Sequence, residues 1–244
     1  MRLVARDCFL PIIYEDEDLL VLNKASGVPT LPHTHSETET AVGAALAHAP
    51  VLAQVGGKPL EPGLLHRLDT GTSGLLVFAK SETEFQRLRQ VWKTGWVKKI
   101  YRALVKKKAS VYLKQIDFKK LPYTISYPMG HSAKSSKKMI VFTSEKKQLS
   151  LIRGKPLKAL TVIKKIGKLG PDFFDLEIEI KTGVMHQIRC HLAAISWPIV
   201  GDSVYKGMRS SRLWLHAWKL VLPLKTGVLL DLEAELPKGW SNTP

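Results

Sequence analysis

Short apolar runs separated by polar turns dominate the first third of the chain and predict a β-rich fold. Residues 11–23, PIIYEDEDLLVLN, indicate two strands around an acidic turn, and the Gly/Pro loop KASGVPT follows them. Residues 39–55 have the small apolar side chains of a short helix. The run LLVFAK predicts a buried strand directly after the polar turn DTGTSG.

The clearest helix signal lies between Ser81 and Gly95. Ser81 and Glu84 form a capping box, which predicts the helix start, and Gly95 predicts its end. Four apolar side chains at helical spacing form the buried face: Phe85, Leu88, Val91 and Trp92.

The second half of the chain again favours strands. The segments KKIYRALV, ALTVIKKIG, FFDLEIEIK, LWLHAWKLVLP and VLLDLEAELP have strand patterns, whereas HQIRCHLAAI has helical spacing. Residues 106–150 are basic and turn-rich, and we expect a mobile loop there. Strands do not alternate regularly with helices, which predicts an α+β fold with a mixed or antiparallel sheet in a single domain, residues 1–244.

Charge is concentrated in the middle of the chain. The 244 residues carry 37 Lys/Arg and 21 Asp/Glu. Residues 93–168 hold 21 of the basic residues and two acidic ones, so this segment has a net charge of +19 and the remainder −3. A solvated basic face is the simple interpretation, and a polyanion-binding surface, most simply for nucleic acid, is the more specific one.

Several classes of protein receive no support from the sequence. No apolar run approaches the ~20 residues that cross a bilayer, and the N-terminus has no secretory pattern. Cys8 and Cys190 are far apart and fit neither a disulfide framework nor a zinc site. Walker, HExxH and GxSxG motifs are absent from the sequence. We therefore expect a cytoplasmic protein without a metal site.

The stretch LLHRLDTGTSGLLVFAK places charged Arg67 and Asp69 between apolar runs. Burying a carboxylate is costly unless it is paired or used, although Asp69 could simply cap its own turn. A second group is KTGVMHQIRCHL, in which His186 and Gln187 occupy the first turn of the predicted helix. Free backbone N–H groups there suit a phosphate, and an ordinary amphipathic helix is the alternative.

Three motifs occur in a fixed order: HRLDTGTSGLLVFAK, KKIYRALV and KTGVMHQIRCHLAAISWPIVGDSVY. In residues and spacing the chain resembles the RluA-type family of RNA pseudouridine synthases from about residue 11 to residue 237. The resemblance implies an α+β pseudouridine synthase fold with a mixed, mainly antiparallel central sheet and a catalytic cleft. It also implies isomerisation of uridine to pseudouridine in structured RNA, tRNA or ribosomal RNA, with no cofactor.

The resemblance assigns roles to individual residues. It implies that Asp69 is the essential aspartate, that Tyr101 packs on the base, and that Arg189 pairs with Asp69. Arg67 would fill the gap left by the extruded nucleotide. The other residues expected to contact RNA all have polar or basic side chains. They are His66, Lys99, His186, Gln187, Lys106, Lys107, Lys108, Lys137 and Lys138.

Four positions depart from the family pattern: Val184, Met185, Ala25 and Leu222. The expected loss of a phosphate contact at Val184 would alter affinity or target choice. We expect no separate N-terminal S4 domain, so the catalytic domain itself would capture RNA through its basic segment. A monomer is the default expectation for the oligomeric state. A noncatalytic RNA-binding or RNA-chaperone protein on the same fold is the alternative, and a DNA-directed or membrane-surface basic protein leaves the motifs unexplained.

Overall fold

The computed structural model describes residues 10–32, 39–108, 120–142 and 150–241. Backbone contacts divide the chain into two compact units. The first contains Met1–Lys98 and His216–Leu236, and the second contains Lys99–Leu215 and Pro237–Pro244. None of the helices within the described ranges is long and apolar enough to cross a membrane.

Twelve strands and three α-helices are described. The strands are β1 (Ile12–Glu15), β2 (Leu19–Lys24), β3 (Ser73–Ala79), β4 (Lys98–Lys106), β5 (Tyr123–Ile125), β6 (Met129–Ser132), β7 (Met139–Val141), β8 (Ile152–Leu157), β9 (Thr161–Lys168), β10 (Phe173–Ile180), β11 (Leu215–Pro223) and β12 (Leu229–Glu233). The helices are α1 (Ala41–His48), followed by a 3-10 helix (Pro50–Gln54), α2 (Glu82–Thr94) and α3 (Gln187–Ala194).

In the first unit, β3 lies between β2 and β11. It pairs antiparallel with β2 and parallel with β11, where Gly74 lies opposite Ala217. Gly74 has φ +113°, and a Cβ on it would lie 2.3 Å from the Ala217 carbonyl oxygen, so a larger residue would force the two strands apart. This close pairing fixes the start of β3, where the DTGTSG turn ends.

Helix α2 packs on the sheet of the first unit. The Ser81 hydroxyl caps it by accepting a hydrogen bond from the Glu84 N–H at 3.2 Å, and Gly95 ends it in the left-handed region with φ +80°. Leu88 is completely buried among Leu75, Val77 and other sheet residues. The Ser81 cap and the helix end predicted from the sequence are thus confirmed. The Glu84 carboxylate, expected to complete the capping box, accepts instead from Arg87.

The second unit contains one long antiparallel ladder and one small sheet. β10 pairs with β4 from Lys99 to Lys106 and, on its other side, with β9, which in turn pairs with β5. β6 lies between β7 and β8 in the small sheet. Cys190 of α3 packs with Met129 and Met139 of that sheet, so the helix and the small sheet form one cluster.

The predicted α+β class is confirmed, because the strands pair mainly antiparallel and β3 with β11 supplies the parallel pair. One expectation needs correction. Residues 106–150 were expected to form a mobile loop, but their described part contains β5, β6 and β7. Residues 109–119 and 143–149 of that segment lie outside the described residues. Strand β8 was not predicted, since its sequence IRGKPL contains Gly and Pro and has little alternation.

Candidate active site

Asp69 lies in the connection that leads into β3. Leu64 and Leu65 first join the edge of the β3 region: the Leu65 N–H donates to the Val77 carbonyl at 3.1 Å. The Thr72 N–H donates to the Asp69 carbonyl at 2.9 Å, which closes the turn after the aspartate. Asp69 itself is half-buried. Its backbone is therefore held on both sides by hydrogen bonds to the chain around it.

A buried lysine secures the turn after Asp69. Lys24 ends β2, and its side chain has no exposed surface. Its ammonium donates to the carbonyl oxygens of Ala25 (3.0 Å), Val28 (2.7 Å) and Thr70 (3.2 Å). Hydrogen bonds to a charged donor are stronger than neutral ones, and they offset the cost of burying the ammonium. Lys24 thus ties its own loop to the residue after Asp69.

Two hydroxyl groups of the same loop secure the rest of the turn. Ser26 Oγ donates to the Gly71 carbonyl at 2.7 Å. Thr30 Oγ1 donates to the Leu68 carbonyl at 2.7 Å and accepts from the Leu68 N–H at 3.2 Å. Residues 24–30 therefore bind the backbone directly before Asp69 and directly after it. We call residues 24–30 the clamp loop.

The two residues predicted near Asp69 differ in their surroundings. Arg67 is exposed, with 63% of its side-chain surface accessible, and its guanidinium lies 3.8 Å from Glu61. A pair this exposed holds the side chain only weakly, so the Arg67 guanidinium is able to change partners. The His66 ring instead stacks on Trp92 of α2, with the ring centroids 5.5 Å apart.

Tyr101 and Lys99 lie on β4 in the second unit, opposite Ile178 and Ile180 of β10. Tyr101 is buried, and its expected packing on the base stays a prediction. Burial lowers the pKa of Lys99 below its ordinary value, because the ammonium loses hydration there. Both side chains are thus held by a long, regular ladder.

Arg189 forms a buried ion pair that the sequence did not predict. Its Nε and one terminal nitrogen donate to the two carboxylate oxygens of Asp202, at 2.8 and 3.0 Å. The Asp202 carboxylate is completely buried and also accepts from the N–H groups of Val204 and Tyr205, both at 3.1 Å. Such a bidentate pair fixes the plane of the guanidinium. The expected pairing of Arg189 with Asp69 stays a prediction.

Tyr205 connects several of the predicted residues in the second unit. Its hydroxyl accepts from the Met139 N–H at 2.9 Å and lies 3.3 Å from His186 Nδ1. Its ring lies 5.5 Å from the Arg189 guanidinium and 5.9 Å from the Lys138 ammonium. Burial raises the pKa of Tyr205, so the hydroxyl stays protonated at neutral pH. Tyr205 therefore brings His186, Arg189 and Lys138 together around one ring.

Gln187 was expected to contact RNA, but the fold already uses its side-chain amide. Its Oε1 accepts from the Thr182 hydroxyl (2.7 Å) and the Val184 N–H (3.2 Å). Its Nε2 donates to the Leu160 carbonyl and to Thr161 Oγ1, both at 3.0 Å. Both N–H donors of the Gln187 amide and both acceptor positions of its oxygen are thus engaged, which is the full hydrogen-bonding capacity of the group. Gln187 shapes the turn before α3, and its expected contact with RNA stays a prediction.

The predicted basic contacts include both anchored and extended side chains. Lys106 lies over the Phe173 ring, 5.0 Å from its centroid, and Lys108 donates to the Lys206 carbonyl. Lys107 is half-buried, whereas Lys137 is exposed. Exposed lysines of this kind suit backbone phosphates, which require charge and little geometry.

Three of the departures from the family pattern have a packing role. Val184 and Met185 pack against the cluster of Met129, Met139, Cys190 and Tyr205. Leu222 of β11 is completely buried in the core of the first unit. Hydrophobic burial therefore accounts for apolar residues at these three positions.

Comparison with known proteins gives the family. Residues 18–194 match the RNA pseudouridylate synthase family, and this range contains Asp69, Tyr101 and Arg189. The chain belongs to this family. It is 31% identical to an uncharacterized RNA pseudouridine synthase of Synechocystis, over 97% of this chain and 68% of the relative. It is equally identical to ribosomal large subunit pseudouridine synthase D of Borreliella burgdorferi, over 96% and 69%.

A solved structure supports the fold. Human RNA pseudouridylate synthase domain containing 1 has a TM-score of 0.69 to this chain at 24% identity, over 93% of this chain and 83% of the human one. The RluA-type resemblance and the pseudouridine synthase fold predicted from the sequence are confirmed. The family also makes the chain an RNA pseudouridine synthase, an isomerase that acts on RNA.

Sequence reasoning missed four residues that hold predicted site residues in place: Lys24 and Thr30 in the first unit, and Asp202 and Tyr205 in the second. Lys24 and Thr30 lie in the quoted loop KASGVPT, and Asp202 and Tyr205 lie in the third motif. Their contacts, however, join residues far apart in the chain. Within the described residues, no group of three His, Cys, Asp or Glu side chains could hold a metal ion.

Proposed function

We propose that this chain isomerises specific uridines to pseudouridine in structured RNA, tRNA or ribosomal RNA, with Asp69 as the essential carboxylate. The observation that carries the proposal is the clamp loop. Buried Lys24 and Thr30, together with half-buried Ser26, donate to the backbone on both sides of one half-buried aspartate. A turn that merely connects two strands does not need this support, whereas a reacting group must be held within a fraction of an ångström.

The reaction explains the residue types. The glycosidic bond between C1′ and N1 breaks, the uracil rotates, and C1′ forms a bond with C5. The C5 proton is lost and N1 gains one, so the product is an isomer and no external electrons are required. Asp69 acts as an ionised carboxylate, either as nucleophile or as base, and Arg189 would favour the ionised form if it pairs with it.

The target base must leave its stack before N1 and C5 can be reached, which costs a few kcal/mol. We propose that exposed Arg67 enters the gap left by the nucleotide and recovers part of this cost by stacking and phosphate contact. Tyr101 would pack on the flipped base, and its buried place on β4 supports a rigid contact of that kind.

We further propose that the enzyme acts as a cytoplasmic monomer.

RNA capture is assigned to the basic residues of the second unit. Lys137 is exposed, Lys138 and His186 lie at Tyr205, and Lys106, Lys107 and Lys108 continue from β4. These side chains would bind phosphates and supply affinity without reading sequence. The departures at Val184 and Met185 are consistent with this assignment, because they contribute packing in place of a phosphate contact.

The test compares wild-type protein with Asp69→Asn, which keeps the size of the side chain and removes the charge. Total RNA from a host strain that lacks the protein is incubated with each, and pseudouridines are mapped at single-nucleotide resolution. We expect new sites with the wild type and none with Asp69→Asn, while both bind the RNA equally. Binding without new sites in any RNA would favour the noncatalytic RNA-binding alternative. Equal activity of both proteins would refute the role of Asp69.

A further inference from the structure

Trp96 is unusually exposed for a tryptophan. Among the large hydrophobic side chains of the described residues it has the highest exposed fraction, 67%, and it is the one aromatic residue in that exposed group. Tryptophan rings carry much apolar surface and are normally well buried or placed at interfaces. None of the roles proposed above uses Trp96.

The backbone holds Trp96 in a fixed place. Helix α2 ends at Thr94, Gly95 follows in the left-handed conformation, and the next residue is Trp96. Val97, on its other side, is buried in the core of the first unit. The ring is thus presented from a short segment anchored at both ends. An anchored ring loses little conformational entropy when it binds a partner.

The surroundings of Trp96 are basic. Residues 85–98 contain four Lys or Arg and no Asp or Glu. Lys93 and Lys98, on either side of Trp96, are both exposed. The other strongly exposed apolar pair of this unit, Val228 and Leu229, lies between Lys225 and Asp231 in the chain, so charges of both signs flank it. An exposed aromatic ring among cations is the arrangement that binds single-stranded nucleic acid.

A ring contact links the helix that precedes Trp96 to the connection that carries Asp69. Trp92, in the last turn of α2, stacks on His66, and Asp69 follows His66 by three residues. The four-residue step from Trp92 to Trp96 spans at most about 14 Å, and the three-residue step from His66 to Asp69 spans at most about 11 Å. All of these residues belong to the first unit.

We propose that Trp96 is a stacking platform for an unpaired base of the RNA that flanks the target uridine. This inference rests on the proposed function, because it assumes that RNA is presented to Asp69. Lys93 and Lys98 would bind the phosphates on either side of the stacked base. The contact would then favour targets with unpaired nucleotides beside the modified uridine, since a base inside a duplex is stacked between its neighbours on both faces.

The first test measures binding in the Asp69→Asn background, so that no product forms. The probes are a fluorescent single-stranded RNA of mixed sequence and a fully paired hairpin of equal length. We expect Trp96→Ala to weaken binding of the single strand roughly tenfold, with a smaller effect on the hairpin. Trp96→Phe keeps an aromatic face and should retain most of the affinity. Val228→Ala, which trims an exposed apolar side chain elsewhere in the same unit, should have no effect.

The salt dependence of RNA binding distinguishes a stacking contact from a phosphate contact. Trp96→Ala should leave the slope of log K against log salt unchanged, because no phosphate contact is lost. Lys93→Gln should reduce that slope by about 0.7, the value for one phosphate contact on a single strand. A changed slope for Trp96→Ala, or equal loss of affinity for both probes, would contradict stacking.

The second test locates the contact directly. Single-stranded RNA containing 5-iodouridine is irradiated with the Asp69→Asn protein, and we expect the cross-linked peptide to contain Trp96. Unchanged affinity of Trp96→Ala would overturn the inference, and a shift in sedimentation without any change in RNA binding would assign Trp96 to self-association. These binding results are independent of the mapping experiment. There, failure of the proposed function would appear as the absence of new pseudouridines.

Discussion

Replacing Thr30 by valine tests whether the clamp loop positions Asp69. The two side chains have similar volume, so the change removes one hydroxyl and little else. That hydroxyl is buried and makes two hydrogen bonds with the backbone of Leu68, one as donor at 2.7 Å and one as acceptor at 3.2 Å. The variant therefore leaves a buried N–H and a buried carbonyl of Leu68 without this partner.

The size of the effect follows from those two groups. Each buried polar group that loses its partner costs about 1–3 kcal/mol, so for two groups we expect the free energy of unfolding to fall by about 2–6 kcal/mol. The neighbouring residue is Asp69, and a displacement of about 1 Å at a reacting group can reduce the rate by about 10²-fold. We expect kcat to fall between about tenfold and a hundredfold. KM for RNA should change little, because RNA capture is assigned to other residues.

Thr40 supplies a matched control. It is also a buried threonine of the first unit, and its hydroxyl caps α1 by accepting from the Gly43 N–H at 3.0 Å. Thr40→Val should cost about 1 kcal/mol of stability and leave kcat unchanged. Thr30→Ser keeps the hydroxyl and should restore activity. The reasoning is refuted if folded Thr30→Val has wild-type kcat, or if Thr40→Val loses as much kcat as Thr30→Val does.

Three further predictions concern the second unit. Asp202→Asn leaves the buried Arg189 guanidinium without its counter-charge, and we expect urea unfolding to show a loss of about 3–5 kcal/mol. Burial lowers the pKa of His191 below its ordinary 6.5, so its stabilising contribution is present above pH 6.5 and is lost as the pH falls. His191→Gln should remove this part of the pH dependence of unfolding. Burial raises the pKa of the Cys190 thiol to about 11, so a Cys8→Ser protein should react with iodoacetamide at neutral pH only after unfolding.

Each of the three has a result that would contradict it. Asp231→Asn alters an exposed carboxylate and should be neutral, so an equal loss there would remove the argument from burial. His131 is exposed, and His131→Gln should keep the wild-type pH dependence. Rapid labelling of the folded Cys8→Ser protein would show that the remaining thiol is accessible, contrary to its burial.

Local patterns in the sequence predicted the elements that are fixed locally. The helix from Glu82 to Thr94 follows from its cap, its apolar spacing and Gly95. The strands β9 and β10 follow from alternation and β propensity around a turn. Strand β8 escaped prediction because its residues are mostly exposed and it depends on pairing with β6. Pairing with a distant partner overrides local propensity in such short edge strands.

In the candidate site, the motif residues could be predicted from the sequence but the contacts that support them could not. The resemblance pointed to Asp69, Tyr101 and Arg189 because motif residues can be aligned without knowing the fold. The support of these residues could not be predicted, since Thr30 reaches a backbone 38 positions away. Gln187 shows the opposite case: a polar residue in a motif is occupied by contacts inside the protein. Only the folded chain distinguishes a polar side chain that is free for RNA from one that is already satisfied.

The ammonium of Lys24 has a consequence for how the enzyme responds to its ionic surroundings. Three backbone carbonyls converge on it, as they would around a monovalent cation, but this cation is covalently attached to β2. No exchange with dissolved ions is needed to keep the turn at Asp69 in shape. RNA capture by surface lysines, in contrast, weakens steeply as salt rises. We therefore expect added salt to raise KM for RNA while leaving kcat almost constant.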